Sequence, residues 1–345
     1  MKAINLTGIR KMRMDEVPDP VIVNKDDVLI KINVVAVCGS DVHYYTTGRI
    51  GSQVVEYPFP VGHECAGTVE KVGPGVKKVK PGDRIAIEPA ISCGKCDQCL
   101  SGRQHTCRNL KFLGCPGQAN GSLSDYIVMP EACCYPIPDN MSLDEAAICE
   151  PLSIGIYAVK RSIPLKNAKI GILGFGPIGM SVMLAAKAKG GSRFYVTDKV
   201  DDRLDIAKAE SANFTINRNI NNAVLKILET EHLGMDVVFE CCGQQEAMDD
   251  AIQLLKPGGT VVLIGIPQFD EWELPSDLIR RKEITLVNIR RQNHCVQEAI
   301  DLIASGKIDV SRMPTHRFTF EEAKKAFDLV DKYKDGVMKA MIDFV

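Results

Sequence analysis

The chain has 345 residues, enough for about two domains at roughly 150 residues each. Its 45% hydrophobic and 25% charged content is that of a globular protein, and a net charge of −2 leaves no basic footprint for nucleic acid or an anionic membrane. The opening residues lack an apolar run of signal-peptide length, and the uncharged span Ile170 to Ala186 is shorter than the ~20 residues that cross a bilayer.

Residues 1 to about 37 read as short strands, Asp27 to Val37 being β-branched and partly alternating. Gly and Pro then punctuate the chain at Pro58, Pro60, Gly62, Gly67, Gly73-Pro74-Gly75 and Pro81-Gly82. This pattern describes a compact, irregular β-domain. Two stretches inside it carry chemistry: Cys38-Gly-Ser-Asp-Val-His-Tyr44 and Gly62-His-Glu-Cys65. A third follows at Glu150-Pro151. A thiolate, an imidazole and a carboxylate from separate stretches can hold zinc and leave a fourth position open, as catalytic zinc requires.

Cys93, Cys96, Cys99 and Cys107 follow the spacing C-x2-C-x2-C-x7-C. Four thiolates close a tetrahedral shell, so a zinc held there is structural. The lobe from residue 90 to 113 has little apolar content of its own, and a metal would supply its order. An iron–sulfur cluster also takes four cysteines, but zinc suits the rest of the chain better. The total of 13 cysteines, odd and without a secretory signal, points to thiols and metal in a reducing, cytoplasmic compartment. Cys115, Cys133, Cys134, Cys149, Cys241, Cys242 and Cys295 lack a metal spacing and read as small buried or half-buried hydrophobes.

Ser142-Leu-Asp-Glu145 is a capping box that starts a helix. That helix is expected to run from Leu143 to about Cys149 and to deliver Glu150 at its far end, with a second helical run from Leu152 to Val159 after Pro151. From about residue 155, strands and helices alternate, with strands expected near 168–173, 193–197, 214–216, 235–240, 260–265 and 283–289. Amphipathic helical runs lie between the first five, Lys256-Pro-Gly-Gly259 reads as a helix stop, and Cys295–Ser305 reads as a closing helix. This is an α/β pattern, a doubly wound parallel sheet.

The first βα turn reads Gly174-Phe-Gly176-Pro177-Ile178-Gly179. It follows an apolar strand and precedes a helical run, the setting a dinucleotide fingerprint needs. The next strand ends on Asp198, placed to hold the two ribose hydroxyls and to repel a 2′-phosphate, which favours NAD over NADP. Lys199 and Arg203 lie close in sequence; Arg203 can stack on adenine or pair with Asp198. Gly243 and Gly265 fall at carboxyl ends of later strands and join the same crevice. The last 40 residues return to strand, helix and strand, with a second capping box at Thr319-Phe-Glu-Glu322. Expected boundaries are 1–154 for the catalytic domain, 155–290 for the nucleotide domain and 291–345 for the closing helix and the return.

Together these residues resemble the zinc-dependent medium-chain dehydrogenases over essentially the whole chain, and within them the polyol-oxidising branch of the sorbitol dehydrogenases. The matching motifs are Cys38-Gly-Ser-Asp-Val-His-Tyr44, Gly48-Arg-Ile-Gly51, Gly62-His-Glu64, Lys80-Pro-Gly-Asp-Arg84, Glu150-Pro-Leu-Ser153 and Gly176-Pro-Ile-Gly-Met180. The resemblance implies a GroES-like β-rich catalytic domain joined to a Rossmann domain, two zinc ions per chain and NAD. It places Cys38, His63 and Glu64 on the catalytic zinc. Glu150 either ligates the metal or holds its water. Tyr44 would face the substrate, Ser40 and His43 would lie on the proton's way out, and Asp198 and Arg203 would contact the adenosine ribose. Two features depart from the branch. The four-cysteine lobe is intact, and a substrate-side Phe-Arg-Tyr reads Asn288-Ile-Arg290-Arg291-Gln292, so either arginine can fill the substrate position. The implied partners are a small alcohol or polyol, with a second copy of the chain in a homodimer or homotetramer. Residues 259–265 and 271–278 are the expected pairing edge.

Overall fold

The computed structural model describes residues 1–344. The chain forms two compact units, Met1–Glu150 with Val296–Val345, and Pro151–Cys295. The helix Val296–Ala304, expected to close the nucleotide sheet, falls in the first unit.

The first unit is built on a seven-stranded sheet. Its order is Cys134–Pro136, Arg84–Ile87, Glu64–Val72, Asp27–Ala36, Lys339–Asp343 and Pro314–Thr319, with Tyr126–Pro130 also paired to Asp27–Ala36. Asp27–Ala36 is the spine. Its interior residues Val28, Ile30, Ile32 and Val35 are buried with Ile85, Ile87 and Ile342 in one apolar cluster. Such burial is the main favourable term holding the sheet. The register sets Ala36 opposite Glu64 and also opposite Met341. Three strands distant in sequence therefore bring Cys38, His63 and Lys339 to one end of the sheet. The final strand joins this sheet through a 3-10 turn at Phe320–Glu322 whose Thr319–Glu322 capping box is formed, followed by the helix Ala323–Asp331.

The second unit holds a six-stranded sheet in the order Phe214–Asn217, Arg193–Asp198, Lys169–Leu173, Met235–Glu240, Leu255–Leu263 and Thr285–Asn288, with every pair parallel. Taken in chain order this is 3-2-1-4-5-6, the doubly wound dinucleotide topology. Its switch point lies between Lys169–Leu173 and Met235–Glu240. The near-continuous burial of Ile170 to Leu173 and of Val237 to Glu240 is what a sheet covered on both faces demands.

Three expectations need correction. Leu143–Arg161 is one helix with Pro151 inside it, so Glu150 sits within the helix rather than at its end. Proline removes one i→i−4 bond and strains the turn before it, but the reciprocal Ser142–Glu145 cap and the buried residues Ile148, Leu152 and Ile156 hold the helix through that defect. The helix before Lys256-Pro-Gly-Gly259 ends earlier, at Leu254, and the strand begins at Leu255. Residues 259–265 are not a sheet edge, because Leu255–Leu263 lies between two neighbours and Thr285–Asn288 closes that end of the sheet. Among the described residues, no helix is long and apolar enough to cross a membrane.

Candidate active site

In the first unit, the donor atoms of Cys38, His63 and Glu64 lie within 4.8 Å of one another. Cys38 leaves the spine strand and is the N-cap of the helix Gly39–Thr47. His63 and Glu64 stand at the start of the neighbouring strand, and both are buried. Nδ1 of His63 is bonded to Oδ1 of Asp41 at 3.2 Å, which leaves Nε2 as the ligand nitrogen. Asp41 also accepts the Gly62 N–H at 3.2 Å, so it fixes both the ring and the turn that carries it. A carboxylate behind a ligating imidazole sets its tautomer and raises its basicity. Burial opposes charge on the His63 ring, but Asp41 and Cys38 outweigh it and raise its pKa well above the usual value. Burial pushes the Cys38 thiol up, as does the Glu64 carboxylate, against the pull of His63 and Lys339. A half-buried thiol, a buried imidazole and a buried carboxylate, converging on one point, fit a divalent zinc.

Glu64 has a second partner. The Lys339 ammonium lies 2.6 Å from its Oε2 and also donates to the Val37 carbonyl at 3.3 Å. Glu150 is buried in its helix and stands outside the three-donor group. Ser40 and His43, one helical turn apart, share a face of the helix Gly39–Thr47. The Ser40 hydroxyl is 3.3 Å from Cys38 Sγ. Burial lowers the pKa of His43, which keeps its ring neutral at physiological pH. Tyr44 is buried, and its hydroxyl lies 3.2 Å from Gln53 Oε1 and 3.6 Å from Cys115 Sγ.

The sulfurs of Cys93, Cys96, Cys99 and Cys107 also lie within 4.8 Å of one another. Cys96 is 3.6 Å from Cys99 and 3.8 Å from Cys107. A tetrahedron with metal–sulfur arms of ~2.3 Å has edges of about 3.8 Å, so the four thiols are already spaced for zinc. Backbone N–H groups favour thiolate here, that of Lys95 foremost, and pull Cys93 down to about 6. Arg108 forks onto Asp97 beside the cluster and ties its two ends together.

In the second unit, Gly174 has φ 89°, and a Cβ there would stand 2.8 Å from Cβ of Cys242. A Cβ on Gly179 would stand 2.1 Å from the Gly174 carbonyl, so only glycine lets the helix close on the strand. Gly176 caps the helix Pro177–Ala188, with Pro177 in its first turn and Ile178 behind it. The free N–H groups of that turn suit a pyrophosphate. Asp198 accepts N–H groups from Phe175 at 2.6 Å, Lys199 at 2.7 Å and Val200 at 2.9 Å. It thus joins the fingerprint turn to its own strand end. Arg203, 7% exposed, lies over Gly176, its Nη1 within 3.3 Å of where a Cβ would be. Gly243 and Gly265 are in contact at the same sheet edge. Arg290 is exposed and Arg291 is half-buried with φ 54°. Of the seven cysteines read as buried or half-buried, Cys242 is instead exposed.

Asp41 and Lys339 escaped the sequence reading. Asp41 carried a signal, an acidic residue three positions after a ligand cysteine. Lys339 carried none, being 275 residues from Glu64.

Residues 24–139 match the alcohol dehydrogenase GroES-like domain, and residues 177–305 match the zinc-binding dehydrogenase domain. The chain is 37% identical to sorbitol dehydrogenase of Bacillus subtilis (strain 168) over 343 residues, covering 99% of this chain and 97% of that protein. It is 41% identical to L-idonate 5-dehydrogenase of Vitis vinifera, covering 88% of this chain and 84% of that protein. A solved Sinorhizobium meliloti structure, described as a zinc-binding dehydrogenase bound to NADP, superposes with TM-score 0.90 at 29% identity over 99% of each chain. The chain belongs to the zinc-dependent medium-chain dehydrogenases, near their sorbitol dehydrogenase branch.

Proposed function

We propose that this dehydrogenase interconverts a secondary hydroxyl of a polyol and the corresponding ketose, with NAD as hydride acceptor. The observation that carries the chemistry is the converging Cys38–His63–Glu64 group in a chain that also holds the Gly174–Gly179 turn with Asp198. The polyol assignment rests on the likeness to sorbitol dehydrogenase.

When bound, zinc supplies Lewis acidity to the alcohol oxygen and the nicotinamide takes up the hydride. The chain's own groups do the rest. Asp41 keeps Nδ1 of His63 protonated and its other nitrogen directed at the metal position. Lys339 sets a positive charge against the Glu64 carboxylate. Ser40, beside Cys38, and neutral His43 one turn later offer a hydroxyl and a base to carry the alcohol proton outward. Glu150 is a second carboxylate of the same unit, near enough to Lys339 to favour its charge. Tyr44 is fixed by Gln53 and Cys115 as a rigid wall for the substrate. Asp198 holds the adenosine ribose and disfavours a 2′-phosphate.

The decisive experiment follows NADH formation by the zinc-loaded protein across sorbitol, xylitol, iditol, galactitol, threonine, butanediol and sugar acids. Turnover of a polyol supports the proposal, and turnover of none of these ends it. A sugar acid is the second reading, favoured by the 41% identity to L-idonate 5-dehydrogenase and by Arg290 and Arg291, either of which could pair with a carboxylate. We further propose that the working form is a homo-oligomer joined through Thr285–Asn288.

A further inference from the structure

Glu240 ends the strand Met235–Glu240 at the switch point of the parallel sheet, paired in register with Leu173 just before the fingerprint turn. It is 0% exposed. Its Oε1 accepts the N–H of Gly243 at 2.7 Å, the N–H of Cys242 at 2.9 Å and the thiol of Cys242 at 3.0 Å. Its backbone carbonyl accepts the N–H of Ile264 at 2.9 Å and of Gly265 at 3.1 Å. One residue therefore binds both later turns of the sheet edge, 241–243 with its side chain and 264–265 with its main chain.

The second carboxyl oxygen is unusual. Oε2 of Glu240 is buried and has no hydrogen-bond partner among the described residues. It points at Gly265, where a Cβ would stand 2.5 Å from it and 2.0 Å from the Gly243 nitrogen. A buried carboxyl with an unmet oxygen is costly, and burial raises its pKa against the bonds from the Cys242 thiol and from the N–H groups of Cys242, Gly243 and Gln244, which lower it. The site also abuts the fingerprint, because Cys242 fills the space a side chain at Gly174 would take.

We propose that Glu240 is a positioning residue of the dinucleotide site, holding the turns at Gly243 and Gly265 in the one arrangement that leaves the Gly174–Gly179 cradle open. The proposal rests on the reading that a nicotinamide dinucleotide occupies this sheet edge. It acts through N–H groups rather than through charge. An amide carbonyl should therefore replace the carboxylate, while a shortened or absent acceptor should not.

The test titrates NADH by fluorescence into the zinc-loaded wild type, Glu240→Gln, Glu240→Asp and Glu240→Ala, with zinc content and steady-state kinetics on each. Glu240→Gln should bind NADH within about threefold of wild type. Glu240→Ala and Glu240→Asp should bind about tenfold more weakly or worse, the scale of a lost buried acceptor. KM for NAD should rise by the same factor, with KM for the alcohol and zinc content unchanged. Should Glu240→Ala fail to fold, the contrast between the Gln and Asp variants decides. Wild-type affinity in both the Ala and Asp variants overturns the proposal, and so does an equal loss in the Gln variant. A wild type that binds no dinucleotide overturns the cofactor reading and the proposal together, which separates the two failures.

Discussion

Lys339 and Glu64 form an ion pair at 2.6 Å with both side chains almost wholly out of solvent, 2% and 1% exposed. Burial opposes the charge on Lys339, but Glu64 and Cys38 outweigh it and raise its pKa. Removing one partner of such a pair leaves the other charge uncompensated. Lys339→Met should therefore destabilise the protein by about 3–5 kcal/mol. The double variant Glu64→Gln/Lys339→Met removes both charges and should recover most of that loss. Denaturant unfolding of the metal-free wild type, Lys339→Met, Glu64→Gln and the double variant gives the coupling directly. A Lys339→Met variant that unfolds with the wild type would show that the pair contributes no stability.

The four-cysteine lobe makes a pH prediction for the metal-free protein. The Lys95 N–H, outweighing burial, leads the groups that pull the Cys93 thiol down to about 6. Burial, with Cys96 and Cys107 beside it, pushes Cys99 up to about 11. The thiolate is the reactive form. After chelation, alkylation of Cys93 should rise with pH through a midpoint at about 6 and then level off, because lower pH reprotonates the sulfur. Cys99 should stay slow until about 11. With zinc bound, neither should react. Peptide mapping of alkylation rates from pH 5 to 9 checks this, and equal rates at the two cysteines would contradict it.

The glycine turn, Asp198 and the metal spacings were legible because each is local. A few adjacent residues set a turn, a cap or a chelate, and their chemistry does not wait for the fold. Pro151 misled because proline weakens a helix by an amount that packing around Ile148 and Leu152 can offset. Lys339 and Glu240 were illegible for a different reason. Each is a charged residue in an apolar strand, which reads as a surface position until its partner is known. The partner of Lys339 comes from another strand of the sheet, and the Gly265 turn beside Glu240 follows a later strand. The nearness of Glu64 to Cys38 also needed register, since the pairing of Ala36 with Glu64 is what puts that carboxylate beside the thiol.

Asp198 makes cofactor choice testable. Its carboxylate already collects the N–H groups of Phe175, Lys199 and Val200, so it is rigid before any ribose arrives. Hydrogen bonds to a charged acceptor are worth about 1.5–3 kcal/mol, and Asp198→Ala should lower kcat/KM with NAD by roughly tenfold to a hundredfold. The same change removes the repulsion of a 2′-phosphate while Lys199 and Arg203 remain. The ratio of NAD to NADP activity should therefore fall by more than the loss with NAD alone explains. Paired assays with both cofactors give the ratio, and a wild type that prefers NADP would refute the assignment.

Thr285–Asn288 closes one end of the parallel sheet, and Leu286 on it is 37% exposed. The helix leading into it, Ser276–Lys282, has no buried residue. An apolar strand with one row of unpaired backbone groups is a template for another chain unless something guards it. The helix carries Arg280, Arg281 and Lys282, but the strand itself has no charge to blunt it. Two copies related by a twofold axis can pair these strands antiparallel, each serving the other's free N–H and C=O groups. A lysine at 286 would set like charges face to face across that axis without touching zinc or nucleotide groups. Leu286→Lys should shift the protein from a dimer or tetramer to a smaller species in sedimentation velocity, with zinc content and secondary structure unchanged. A wild type that sediments as a monomer at micromolar concentration, or a variant that keeps the wild-type mass, would remove this edge as the interface.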